Sequence, residues 1–388
     1  MANETHGRRE LRSKVDRVGR ISPALQRHLA GTNPMLRNAT LGNREWALVT
    51  MAMLVAIGDA PDQLRTYLDI AVGAGATNDE IVDVINQAAI YVGGPRAVNA
   101  LRTLEDFLVN ERDRLLPAVT ETVVRLGDHD TIVWDNGGDG VPMLLIHCLS
   151  LDRRVWRDVY PQLAAAGRVI AYDIRNHGSA RGAPLVRDLD HVADDAAALL
   201  DTLGVAQADV YGASYGGAIA QHLALNQPNR VRSLALIATS PWCPTETLDQ
   251  RATAAEAHGM YAQVAQSLIR WFAPETIAEN GWAVRYAREM IRKDSVAEWA
   301  ASWRAMARLN VVDRLAEIQV PTVAIAGQQD LSAIPEALQA IATGVTGCRY
   351  VLVDPGTHMM PMEQPDALAH ALVEFRHDVQ SDAFNREQ

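Results

Sequence analysis

The chain has 388 residues, 48% of them hydrophobic and 21% charged, and carries a formal net charge of −11. That length exceeds one ordinary domain, and that composition excludes a disordered or fibrous chain. An acidic surplus argues against nucleic acid as a partner, because phosphate binding needs a basic face. An anionic small molecule needs only one or two local cations.

Met1 to Arg20 is polar, with several Arg and Lys residues and no apolar centre, so it does not read as a secretion signal. The apolar stretch from Ala47 to Gly58 is too short to span a bilayer. Cys148, Cys243 and Cys348 lie far apart without a Cys-x-x-Cys, so neither disulfides nor a zinc site is expected. These features give the expectation of a cytoplasmic chain with no membrane attachment, no metal and no cofactor.

Up to about Arg114 the pattern is helical throughout. Arg44 to Ile57 has apolar residues at helical spacing, and Leu64 to Ala74 follows, ended by Gly75. Thr77-Asn78-Asp79-Glu80 is a capping-box pattern before Ile81 to Val92. Pro95 stands where a first-turn proline belongs, opening Arg96 to Arg112. Residues 1–114 are expected to form one all-helical domain.

From Thr120 the pattern changes. Val123 to Leu126 and Thr131 to Trp134 flank Gly127-Asp128-His129-Asp130, a hairpin signal. Apolar strands then alternate with helices: Met143 to His147, Arg168 to Tyr172, Asp209 to Gly212, Val231 to Ala238, Thr322 to Ala326 and Tyr350 to Val353, with a helix over Asp188 to Leu203. Continuous apolar strands separated by helices mean a parallel sheet covered on both faces. Between about residues 244 and 313 the strands stop. That helical insertion holds Trp271, Trp282, Trp299 and Trp303 and reads as a cap. Residues 118–380 are expected to form this second, α/β domain, and the polar tail after His377 is expected to fray.

The chemistry centres on Val210-Tyr211-Gly212-Ala213-Ser214-Tyr215-Gly216-Gly217. An apolar strand enters Gly-x-Ser-x-Gly and a helix follows, a sharp turn that holds its central residue strained and lifts the hydroxyl clear of the sheet. Serine needs a base, and the base an orienting carboxylate. Asp330 follows the strand Thr322 to Ala326, and His358 follows Tyr350 to Val353. Ser214 is therefore expected as nucleophile, His358 as general base and acid, and Asp330 as its orienter. The oxyanion donors are expected to be the N–H groups of Tyr215, at the start of the helix, and Leu149, on the loop after Met143 to His147. Cys148 reads as a small buried loop residue rather than a second nucleophile, and His147, His177 and His222 as hydrogen-bonded structural histidines. No His-x-x-x-His or His-Glu-x-x-His pair exists. Trp271, Cys148, Arg153 and Met359 are expected to line the substrate pocket. Arg153, Arg154, Arg270 and Arg304 are the candidates for meeting a substrate carboxylate.

Residues from about Thr120 to Asp378 resemble the α/β-hydrolase family, and within it the 3-oxoadipate enol-lactonases. The resemblance rests on Leu149 through Trp156, Asp173 through Ser179, the elbow, Arg270-Trp271-Phe272-Ala273-Pro274 and His358 through Pro365. It implies the hydrolase fold with a helical cap and supports the triad and oxyanion assignments. Asn176 stands where the family tends to have Gly, and Met359-Met360-Pro361-Met362 departs from the family's pocket-facing pattern. Residues from about Asn33 to Leu108 resemble the carboxymuconolactone decarboxylase family in Asn43 through Gly58, Gln63-Leu64-Arg65 and Thr77 through Pro95. Where that family has histidines, this chain has Tyr67 and Gln87. Glu45 alone lacks the imidazole partner that proton transfer would want. The second resemblance implies homo-oligomers built from these helices; the missing histidines give the expectation that decarboxylation is lost, with a live decarboxylase as the alternative.

The expected function is hydrolysis of an ester or enol-lactone of a small carboxylated or polycyclic metabolite through an acyl-enzyme. Intramolecular acyl transfer with ring closure and C–C bond hydrolysis stay open, as does a non-catalytic binding or scaffold role.

Overall fold

The computed structural model describes residues 41–58, 60–114, 119–381 and 384. The readings of Met1 to Arg20 and of the stretch from Asn33 to Thr40 lie outside the described residues. The chain divides into two compact units, Met1–Arg114 and Leu115–Gln388. No helix among the described residues is long and apolar enough to cross a membrane.

The first unit contains α1 (Asn43–Ile57), α2 (Pro61–Gly73), α3 (Asn78–Val92) and α4 (Gly94–Arg114). Ala47, Met51 and Val55 recur every fourth residue along α1 and are buried against Leu64, Leu68, Ile81 and Ile85. Gly58 ends α1 in the left-handed region at φ +91°. Both halves of the Thr77–Glu80 capping box form at the start of α3.

The second unit is built on an eight-stranded sheet: β1 (Thr120–Leu126), β2 (His129–Asp135), β3 (Met143–Ile146), β4 (Val169–Tyr172), β5 (Ala208–Ala213), β6 (Val231–Ile237), β7 (Thr322–Gly327) and β8 (Arg349–Val353). Their spatial order is β1-β2-β4-β3-β5-β6-β7-β8. β2 pairs antiparallel with β1 and β4, and every other pairing is parallel. All residues of β3, β5 and β7 are buried, as strands covered on both faces must be. The covering helices include α5 (Tyr160–Ala166), α6 (Leu189–Thr202) and α7 (Tyr215–Asn226). The hairpin turn is tighter than expected. His129 and Asp130 belong to β2, leaving Gly127 and Asp128 as the connection.

After β6 come the cap helices α8 (Thr245–His258), α9 (Val264–Trp271), α10 (Pro274–Glu279), α11 (Trp282–Lys293) and α12 (Val296–Met306). Two backbone hydrogen bonds, Cys243 N–H to the Leu309 carbonyl at 3.0 Å and Val311 N–H to that of Pro241 at 2.9 Å, tie the insertion's two ends into a neck. The chain then continues through α13 (Pro335–Gly344), a single-turn α14 (Met360–Glu363) and α15 (Pro365–Gln380). The tail corrects the expectation of fraying after His377. α15 runs on to Gln380, and Phe384 is buried with its ring edge-on to Phe375 at 5.4 Å. Buried Asp209 of β5 is held by Arg232, Ser233 and Arg376 of α15, which fixes that helix to the bottom of the sheet.

Candidate active site

β5 hands the chain to α7 through Ser214, which has φ +54° and ψ −113°. A non-glycine residue in that region costs about 1–3 kcal/mol and persists only where its surroundings hold it. Here they do. Ser214 N–H donates to the Ile237 carbonyl of β6 at 2.9 Å, and the Ser214 carbonyl accepts from Gly217 N–H and from the Thr239 hydroxyl, each at 2.9 Å. A Cβ at Gly212 would stand 2.2 Å from the Gly216 carbonyl oxygen, and one at Gly216 would stand 2.1 Å from that of Ile146. Both positions therefore exclude a side chain.

Asp330 lies just past β7 and His358 just past β8. The two loops pack backbone to backbone, with Gln329 N–H on the Gly356 carbonyl at 2.7 Å. Asp330 accepts from the N–H groups of Ser332 and Ala333 at 2.7 and 2.9 Å, which orients its carboxylate. His358 Nδ1 lies 2.9 Å from Asp330 Oδ2, and His358 Nε2 lies 2.9 Å from Ser214 Oγ. Asp330 accepts only when Nδ1 carries the ring proton, so Nε2 faces the serine as an acceptor. Three side chains distant in sequence thus form one hydrogen-bonded line. Asp330 and His358 are buried, 2% and 4% exposed, which keeps water from competing for those bonds.

The loop after β3 is shaped by a buried histidine. Ile174 N–H donates to His147 Nε2 at 2.9 Å, so the proton sits on Nδ1, which donates to the Cys148 carbonyl at 2.7 Å. Burial lowers the basicity of His147, and burial followed by the neighbouring His147 brings His177 down to about 3. Both are neutral structural groups. Among the described residues no acceptor pairs with the N–H of Leu149 or of Tyr215. Cys148 is buried, and its thiol is pushed up to about 12 by burial and then by the charge of Asp330, which disfavours the thiolate that nucleophilic attack needs.

The remaining expected pocket residues divide. Trp271 ends α9, and its carbonyl accepts from Met359 N–H at 3.2 Å; both side chains are buried beside the His358 loop. Arg153 is a correction. Its guanidinium is held at Nη1 by Asp173 at 2.7 Å and at Nη2 by Glu121, against the ring of Trp134, so its charge is already matched by two carboxylates and only the buried Nε is unpaired. Arg154 is bound to Asp152, and exposed Arg304 to Glu256. Of the cap tryptophans, Trp282 is stacked on Tyr286 at 5.0 Å with Arg157 on its ring, so it serves packing.

Sequence reasoning missed how the cap grips the loop after β3. Ser150, at φ +68°, donates its hydroxyl to Asp294 at the end of α11, and Asp294 also accepts from Arg181 at 2.9 Å. Tyr286 of α11 donates to Asp152 Oδ1 at 2.7 Å and accepts from Asp152 N–H at 3.1 Å. Burial works against the charge of Asp152, but Arg154 and Arg153 overcome it and hold the carboxyl ionised. Asp294 goes the other way. Burial, with a smaller contribution from Glu298, pushes its carboxyl up to about 7 against the pull of Arg181 and Ser150. A raised carboxyl means that the folded state keeps a proton which the unfolded chain releases. Stability attributable to Asp294 is thus full below about pH 4 and lost as pH rises to about 7, at up to about 1.4 kcal/mol per unit. Melting temperatures from pH 5 to 8 should fall more steeply for the native chain than for Asp294→Asn. Parallel curves would refute the linkage.

A family model for the alpha/beta hydrolase fold matches residues 141–365, more than half of the chain, and the chain belongs to that family. A carboxymuconolactone decarboxylase family model matches residues 23–106, within the N-terminal unit. The chain is 26% identical over 235 residues to 3-oxoadipate enol-lactonase 1 of Acinetobacter baylyi, an alignment covering 60% of this chain and 87% of that enzyme. It is 28% identical over 233 residues to a pimeloyl-[acyl-carrier protein] methyl ester esterase of Neisseria meningitidis, covering 58% of this chain and 73% of the esterase. The crystal structure of the enol-lactonase from Burkholderia xenovorans superposes with a TM-score of 0.63 at 25% identity, over 66% of this chain and 100% of that one. The fold and these relatives make the chain an α/β hydrolase.

Proposed function

We propose that the chain hydrolyses an ester or lactone of a small metabolite through an acyl-enzyme on Ser214. The observation that carries this reading is the relay of Ser214, His358 and Asp330, with 2.9 Å at each of its two junctions. His358 Nε2 takes the proton as Ser214 Oγ attacks the carbonyl carbon. The oxyanion settles against the N–H groups of Leu149 and Tyr215, donors worth about 3 kcal/mol each in such sites. His358 then gives its proton to the leaving oxygen. An enolate leaving group from an enol-lactone makes little demand on that acid, since it ketonises once released. Water, with His358 again as base, frees the acid and restores the serine. The test is a panel of lactones and aryl esters, 3-oxoadipate enol-lactone included, assayed on the native chain and on Ser214→Ala. Turnover confined to the native chain is expected; equal turnover by both would overturn the reading.

We assign the N-terminal unit to assembly rather than to decarboxylation. Glu45 is exposed and engaged by Arg44 at 3.1 Å, Tyr67 is packed edge-on against Trp46 at 5.1 Å, and Gln87 is exposed. No imidazole accompanies the carboxylate among the described residues of that unit. Val49, Met53 and Ile57 form a stripe on α1 that is 49%, 54% and 64% exposed, a face that a second copy would cover. Light scattering of the full chain should give an oligomer whose mass falls in Met53→Glu. A native monomer would contradict the assignment.

A further inference from the structure

The cap holds two arginines that no carboxylate among the described residues neutralises. Arg251 on α8 and Arg270 on α9 are both half-buried, and among the described residues neither forms an ion pair. Arg251 rests on the face of Trp303 at 4.6 Å. Arg270 makes one long hydrogen bond, 3.4 Å to Ser267 Oγ, and its Nε is buried without a partner. The contrast with the buried arginines elsewhere is sharp: Arg153, Arg175 and Arg376 are each held by carboxylates. Burial lowers both cap guanidiniums, and the charge of Arg251 helps to bring Arg270 down to about 10. Two adjacent cations withdrawn from water without a counter-charge are costly unless an anion joins them.

Their neighbours point the same way. Trp303 Nε1 is buried and has no hydrogen-bond partner among the described residues, whereas Ser302 Oγ and the Tyr215 hydroxyl, both buried, face each other. Trp303 Nε1 and Arg270 Nε thus make two buried donors without an acceptor among the described residues. Each arginine is linked, by a contact and a step along the chain, to a residue adjoining the relay. Arg251 touches Trp303, which adjoins Ser302, and Ser302 faces the Tyr215 hydroxyl, on the residue directly after Ser214. Arg270 directly precedes Trp271, whose carbonyl holds Met359 N–H, the residue after His358.

We propose that Arg251 and Arg270 form a carboxylate-binding subsite under the cap, holding an anionic group carried by the substrate a few bonds from its scissile carbonyl. The substrate class is then an ester or lactone with a free carboxylate, and this rests on the hydrolase reading above. The net charge of −11 is no obstacle, since the subsite concentrates two positive charges where the acidic surface does not reach.

Two probes separate the possibilities. The first is the ratio of kcat/KM for p-nitrophenyl hydrogen adipate to that for its methyl-capped neutral analogue. The native chain should favour the anionic ester at least tenfold. Arg251→Met and Arg270→Met should each lower that ratio 10- to 100-fold, as loss of a charge-assisted contact does, with partial recovery in Arg270→Lys. A structural role for the arginines would lower both rates together and leave the ratio unchanged, which would overturn the subsite. The second probe is calorimetric binding of glutarate to the intact but unreactive Ser214→Ala chain. Binding that disappears with either arginine supports the subsite even where neither ester is turned over, a result that would instead defeat the hydrolase reading. Absence of glutarate binding, with both esters hydrolysed at equal rates, would refute the subsite alone.

Discussion

Replacing Ser214 with alanine should lower kcat on any accepted ester or lactone by four to six orders of magnitude while leaving the melting temperature close to native. The size follows from how such relays work. Removing the nucleophile removes the covalent path, and only binding and the oxyanion donors are left to act on water. The small structural cost follows from local geometry. The bonds that fix the elbow run through the backbone of residue 214, from its N–H to Ile237 and from its carbonyl to Gly217 and Thr239. An alanine keeps all of them and loses only the contact with His358. His358→Ala should be nearly as damaging, and the double variant no worse than either single one, because the pair acts as a unit. Rates that multiply in the double variant would mean that the two side chains work independently.

Gly216→Ala should be the most damaging conservative change to the fold around the site. An added Cβ would lie 2.1 Å from the Ile146 carbonyl oxygen and 2.7 Å from that of His147. Both obstacles are backbone, and one belongs to a central buried strand, so neither can swing aside. β5 and β3 pair in parallel, with Ile146 and Gly212 in register, which means that any relief must part the sheet at its centre. A cost of about 4 kcal/mol or more is expected, a fall of roughly 8–16 °C in melting temperature for a domain of this size. Surviving protein should also be catalytically poor, since relief by the other route moves the start of α7 and with it the Tyr215 N–H. Gly281→Ala serves as control. Nothing lies within 4 Å of a Cβ there, and its backbone is extended, so only the preference for glycine over alanine at the N-cap of α11, about 1 kcal/mol or less, is at stake. Native-like melting of Gly216→Ala would contradict the close approach of α7 to β3.

What could be read from the amino-acid order was the part that is local. The elbow compresses two obligatory glycines, the serine, a strand end and a helix start into a few residues, so each supports the reading of the others. Asp330 and His358 were legible because each follows an apolar strand by a short turn and because their order along the chain restricts where they can go. Strand and helix boundaries fell within a few residues for the same reason: burial on both faces leaves a continuous apolar run. The long-range pairs were not legible. Ser150 and Asp294 are 144 positions apart, and nothing near either one marks it as half of a contact. Arg153 and Arg154 are neighbours of identical type, and only folding shows that one faces Asp173 and the other Asp152. Arg251 was passed over because an arginine on an amphipathic helix looks solvated unless the helix packed against it is known. Phe384 was hidden by polar neighbours, although its ring completes an aromatic contact with α15.

The central claim is that His358 activates Ser214 for covalent attack. Its most direct test is the intact mass of the full chain after brief exposure to a fluorophosphonate, with peptide mapping of the adduct, for the native chain, Ser214→Ala and His358→Ala. One adduct per chain on the Ser214 peptide is expected in the native protein, none in Ser214→Ala, and labelling slowed at least a hundredfold in His358→Ala. A native chain that stays unlabelled, or an adduct that persists at native rate without the imidazole, would contradict it.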